Sequence, residues 1–229
     1  MHKGWVLVAG ILIGALLVAM PPPASLLRKD VSSGTVEDAK SESRTLAALV
    51  DGKPHALLLI SSALPAELCP AVLDEVKRVR TFGLEVTLVW TSLGQKSCGT
   101  VPVYTPGRQL REIMATSQSA AEARAVVLDG SGVVRLDETF EASVAQIKRV
   151  ADKLIAWRQG AQSFAVHCGH CHDDDGANTS HAGIKTLVGI STRMSDAKIL
   201  EGGEMFGAVS IYAWKKSEVD SLLLFIRGL

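Results

Sequence analysis

The chain lacks any excess of charge: 24 Lys and Arg offset 24 Asp and Glu across 229 residues. That balance excludes the broad basic surface that nucleic-acid phosphates require, and nucleic acid is not expected as a partner. Cysteine is scarce as well. Four in a chain of this length cannot build a disulfide-dense scaffold, so their spacing matters more than their number. What is present is ordinary globular material, 47% apolar and 21% charged, enough to bury a core in one or two domains plus extras.

Charge is also missing from one long stretch. Between Lys3 and Arg28 lie 24 uncharged residues, which as a helix reach about 36 Å against a hydrocarbon core of roughly 30 Å. A cleaved secretory signal has the same basic start and apolar run. A small-x-small cleavage site is hard to find, however, because Met20 is too large and Pro22 stands three residues before Ser25. The expectation is an uncleaved membrane helix within residues 1–27, with the soluble remainder in the periplasm. Residues 28–45 are polar with small apolar groups and read as a surface tether.

Packed structure is expected from Leu46. Ala56 to Ile60 is an apolar run of strand length, and Leu84 to Trp90 alternates with β-branched residues. Between them, Leu68, Val72, Leu73, Val76 and Val79 recur at helical spacing, with Gly83 as a stop. This is a βαβ unit with parallel strands. A helix at Arg108 to Ala115 follows, then a strand, turn and strand over Ala125 to Leu136, then a helix capped by Ser143.

That order of elements is the thioredoxin order. Leu59-Ile60-Ser61-Ser62 with Pro65, and Ala125 through Val134, resemble membrane-anchored periplasmic thioredoxin-like proteins, in particular the thioredoxin-like protein of methylamine-utilisation operons. The resemblance covers residues 46–157. It implies an α/β thioredoxin-like domain, but where the family carries Cys-x-x-Cys this chain has Leu64-Pro65-Ala66-Glu67, and no proline follows Pro106 to fill the family's cis-proline position. Thiol exchange at that motif is therefore not expected. Cys69 and Cys98 remain as a possible disulfide, or as two buried thiols.

Cys168-Gly169-His170-Cys171-His172 is Cys-x-x-Cys-His, the pattern of c-type haem attachment. Zinc is the rival, with His167, His170 and His181 as further ligands, but no second Cys-x-x-Cys exists. Gly160 and Phe164 before the motif, and the amphipathic segment from Trp214 to Ile226 with Phe225, resemble a small class I cytochrome c, which implies an all-α domain over residues 158–229. In that family the first and last helices cross at the glycine and the aromatics. The resemblance implies one covalent haem c on Cys168 and Cys171, with His172 and Met205 as iron ligands; Met194 and His181 are the rival distal ligands. Asp173, Lys185 and Phe206 depart from the family's usual glycine and prolines.

The combined expectation is a multidomain chain: a membrane segment (1–27), a polar linker (28–45), a thioredoxin-like domain (46–157) and a cytochrome c domain (158–229). Its function would be single-electron transfer as a carrier that is not an enzyme. Redox partner proteins, such as a membrane respiratory or dehydrogenase complex, would exchange electrons with it. The alternatives are a haem-linked thiol-disulfide oxidoreductase, in which Cys69 and Cys98 cycle, and a haem sensor or peroxidase with an open iron position.

Overall fold

The computed structural model describes residues 25–38, 40–60, 66–90, 97–98, 101–114, 122–173, 176, 186–205 and 214–229. Apolar runs at strand spacing give β3 (His55–Ile60) and β4 (Glu85–Trp90), joined by α2 (Cys69–Thr81) and parallel to each other from His55↔Glu85 to Ile60↔Trp90. Gly83, at φ +76°, ends the connection where an L side chain would be strained. Next come β5 (Ser97–Cys98), β6 (Val101–Pro106), α3 (Arg108–Met114), the antiparallel pair β7 (Glu122–Leu128) and β8 (Val134–Glu141), and α4 (Val144–His167). Ser143 caps α4 by accepting the Gln146 N–H at 3.3 Å.

With β1 (Thr35–Glu37) and β2 (Ser43–Thr45), the sheet order is β2-β1-β6-β4-β3-β7-β8, and β5 pairs with β6. Side-chain alternation sends Ala56, Leu58, Ile60, Val86, Leu88 and Trp90 to a face covered by α2 and α4. Leu57, Leu59 and Val89 go to the other face, against Leu110 of α3 and against Leu46 and Val50 of α1 (Leu46–Val50). A βαβ unit, a helix, a hairpin and a closing helix on a mixed sheet decide the class. The fold is thioredoxin-like.

Three expectations are corrected here. Among the described residues no helix is long and apolar enough to cross a membrane. Most of the expected anchor, residues 1–24, lies outside the described residues, but its last part is packed against protein. Leu26 is buried beside Val31, Val36 and Val134, and its N–H donates to Asp137 Oδ2 at 2.6 Å. Nor are residues 28–45 a tether. The Arg28 N–H donates to the Val134 carbonyl and the Val134 N–H to the Lys29 carbonyl, at 2.7 and 2.9 Å. Val36, fully buried, sits in β1 antiparallel to β6.

The third correction concerns the separate all-α cytochrome domain. No break falls at the expected boundary between residues 157 and 158, because α4 continues through it to His167. The remaining helices are α5 (Gly169–His172), α6 (Asp196–Met205) and α7 (Lys216–Gly228). Leu222, Phe225 and Ile226 of α7 share one apolar cluster with the sheet residues. At its far end α7 lies on β8, where a Cβ built on Gly228 would stand 2.1 Å from the Arg135 carbonyl oxygen. The C-terminal helices therefore extend the thioredoxin-like core instead of enclosing one of their own.

Helices α4 and α7 cross closely at Gly160. A Cβ built there would meet the Ser221 carbonyl oxygen at 1.9 Å. Trp157 and Phe164 flank the crossing, their ring centroids 5.4 and 5.0 Å from that of Phe225. Gly160→Ala must push two backbones apart and should cost about 2 kcal/mol. A thermal melt followed by circular dichroism should show a midpoint lower by roughly 4–8 °C; an unchanged midpoint would show that the crossing gives way freely.

Candidate functional site

The four cysteines fall into two pairs at opposite ends of α4. Cys69 opens α2 directly after a short 3-10 turn, Ala66–Leu68, and Pro70 follows it in the first helical turn, where a missing N–H costs nothing. Val72, Val76 and Val79 of the same helix are buried against the sheet and against α4. This packing fixes the helix start beside the carboxyl ends of β3 and β4, the edge at which open α/β sheets place their functional groups. Cys98 enters from the connection that leaves β4. The two are bonded, with Cα atoms 5.5 Å apart, within the ordinary disulfide range.

The two sulfurs are not equivalent. Cys98 has no exposure at all, whereas Cys69 is only partly buried. Of the two residues, only Cys69 has exposed surface. The amino end of α2 also favours a thiolate at Cys69 once the bond opens.

The second pair sits where α4 gives way to α5. The Cys168 N–H donates to the Phe164 carbonyl at 2.7 Å, and the Cys168 carbonyl accepts from both Cys171 and His172 at 3.0 Å. Asp173, at φ +51°, ends the turn. Both thiols are free. Burial, with a smaller contribution from Cys171, pushes the Cys168 thiol up to about 11. Burial also holds the His172 imidazole below its ordinary value, against an opposing effect of Asp173. The His167 ring packs against Trp214 at a tilt of 59°, with centroids 4.8 Å apart.

The described residues show no iron site of the kind the motif implies. Among the described residues no three His, Cys, Asp or Glu side chains are placed to hold a metal ion. The proximal imidazole needs an acceptor to fix its tautomer, yet His172 Nδ1 is buried with no hydrogen-bond partner among the described residues. Met205 ends α6, but its side chain lies outside the described residues, as do His181 and the Lys185 carbonyl. Met194 is exposed. The haem assignment and the cytochrome reading built on it are corrected on these findings.

The two pairs cannot exchange with each other directly. Val72 in the first turn of α2 shares a small apolar cavity with Ile147 and Val150 near the start of α4, and Gly83 just past α2 faces Arg158. The helices therefore run in the same direction. Cys168 lies beyond the far end of α4, on the order of 30 Å from Cys69.

No family model matches the chain, and no curated protein matches it. Several solved structures do. Peroxiredoxin Q of Xanthomonas campestris is 13% identical with a TM-score of 0.42, over 56% of this chain and 94% of that one. The thioredoxin domain of a Bacteroides vulgatus thiol-disulfide oxidoreductase is 13% identical with a TM-score of 0.42, over 58% and 98%. A thiol:disulfide interchange protein from a Bacteroides species is 10% identical with a TM-score of 0.39, over 58% and 91%. The expectation of a carrier that is not an enzyme is corrected too. It rested on a closed iron site, and the described residues show none.

Sequence reasoning found all four cysteines and the strand that ends at Trp90, but missed the Arg124–Asp137 pair. Trp90 closes the alternation of β4 on its buried face, a signal present in the sequence. Asp137 gave none, because its surroundings come from residues 25–26, far away in the chain.

Proposed function

We propose that the chain is a thiol-disulfide oxidoreductase that exchanges electrons with redox partner proteins through the Cys69–Cys98 disulfide. The observation that supports this reading is the position of that bond, with a reachable sulfur at the amino end of α2 and a buried one behind it. In the reductive direction a partner thiolate attacks Cys69 Sγ and forms a mixed disulfide, and Cys98 leaves as thiolate. The partner's second thiolate then displaces Cys69. The partner ends as a disulfide and the chain as two thiols. The reverse sequence oxidises the chain and reduces its partner.

The test treats the folded full chain with mild reductant, alkylates it and locates the labelled cysteines by mass spectrometry. Turnover of a model disulfide is measured alongside. The expected result is label on Cys69 and Cys98 that appears only after reduction, together with turnover. A disulfide that resists reduction until the chain unfolds sinks the reading. So does a denatured, reduced chain whose Cys168 and Cys171 stay blocked and coloured.

A further inference from the structure

We propose that Cys168 and Cys171 form a second dithiol site, which closes to a disulfide by reducing an organic disulfide, with Cys171 as the attacking thiol. Both thiols are free, whereas Cys69 and Cys98 are bonded. The second pair lies on the order of 30 Å from the first. It therefore needs an oxidant of its own, and the inference does not rest on the exchange reading above.

The backbone brings the two residues together. The Cys168 carbonyl accepts the N–H groups of Cys171 and His172, both at 3.0 Å, which makes one helical turn of residues 168–172. Across such a turn the Cα atoms of residues three apart are about 5 Å from each other, inside the range that a disulfide spans. Their side chains stand on the same face. Cys168, at φ −119° and ψ −31°, ends α4 and opens α5. The adjustment that a bond requires thus falls at a joint between helices and not inside one.

Exposure divides the roles. Cys168 is buried, at 9%, and Cys171 is only partly buried. The Cys171 thiolate attacks one sulfur of the substrate, forms a mixed disulfide and expels the other sulfur as thiolate. Cys168 then gives its proton to water and attacks Cys171 Sγ, and the second substrate sulfur leaves. Two electrons and two protons pass from the pair to the substrate. The substrate ends as two thiols and the chain as a Cys168–Cys171 disulfide.

The experiment incubates the folded full chain with oxidised glutathione or, in a parallel arm, with insulin as a protein disulfide. Remaining thiols are alkylated and the peptides mapped by mass spectrometry, for wild type, Cys168→Ser and Cys171→Ser. Wild type should lose alkylation at both positions and gain the Cys168–Cys171 cross-link. Closure in either arm supports the site, and the arms separate a small disulfide from a protein one as its substrate. Cys168→Ser should hold the mixed disulfide on Cys171. Cys171→Ser should form its adduct at least about tenfold more slowly, since the remaining thiol is buried. Wild-type thiols that stay open to alkylation in both arms overturn the proposal, as do equal adduct rates in the two variants. So do sulfurs already blocked in the denatured, reduced chain before any oxidant is added. If the variants do not fold, the wild-type cross-link decides alone. Alkylating the unreduced chain caps this pair and spares the bonded one, so exchange at Cys69–Cys98 is measured separately after capping. Its failure there overturns the exchange reading and leaves the second site standing.

Discussion

Cys98→Ser should yield a chain that captures its redox partner and cannot release it. With Cys69 still present as the reachable nucleophile, attack on a partner disulfide proceeds to the mixed disulfide, but no resolving thiolate stands behind Cys69 to break it. The adduct should accumulate on non-reducing gels and vanish with reductant. Cys69→Ser should show neither capture nor turnover, because the remaining thiol at Cys98 is wholly buried. Both variants lose the same cross-link, which spans 29 residues and stabilises by roughly 3–4 kcal/mol in the chain-entropy view. A bond that is only a staple would therefore produce two equally destabilised chains, neither able to trap a partner. Asymmetric trapping separates the two roles, and equal behaviour of the variants would remove the assignment of Cys69 as attacker.

Asp137→Asn should be the most costly isosteric change in the fold. Arg124 Nε and Nη2 donate to the two Asp137 oxygens at 2.6 Å each, and the pair's side chains are only 6% and 5% exposed. Removing the charge strands a guanidinium in the interior, a loss of about 3–5 kcal/mol. The exposed pair Lys216–Asp220 offers the contrast, since Lys216→Gln should cost under about 0.5 kcal/mol. Burial by itself would raise the Asp137 carboxyl; hydrogen bonds from Arg124, the Leu26 N–H and the Ser25 hydroxyl, together with the guanidinium charge, outweigh it and hold the group below its ordinary value. A depressed carboxylate contributes stability that is fully present above the unfolded value and lost as the pH falls through the folded one. Urea unfolding should therefore show the full deficit of Asp137→Asn at pH ~6, shrinking below pH ~4. A deficit that persists undiminished in acid would assign it to packing and not to charge.

Local signals carried much of the fold. The apolar run of β3, the helical spacing of Val72, Val76 and Val79, the stop at Gly83 and the cap at Ser143 each act within a few residues, and each was readable. The sheet's outer layer was not. Leu26, Val31 and Val36 are core residues, but they are spaced through turns with no period of two or of 3.6, so their surroundings resemble a polar tether. The boundary expected between Trp157 and Arg158 is where two resemblances meet, and neither residue stops a helix. At the site, a separation of 29 residues says nothing of proximity. Only the parallel register of β3 and β4 brings the two connections to one edge. Cys-x-x-Cys-His was legible as a motif, but a motif of five residues does not contain the helices and loops that must close around a cofactor.

The edge of β8 has a consequence for biosynthesis. Residues 28–31 hydrogen-bond to Gly132 and Val134 at that edge, and the last turn of α7 rests on the backbone of Arg135. On the ribosome these two covers emerge at opposite times, the first before any of the sheet exists and the second after all of its strands. A nascent chain that has reached β8 but not α7 carries a hairpin edge only half closed, the kind of surface that recruits strands from neighbouring chains. Translation pauses between residues 142 and 215 would lengthen that exposure, and the demand on holding chaperones should peak there.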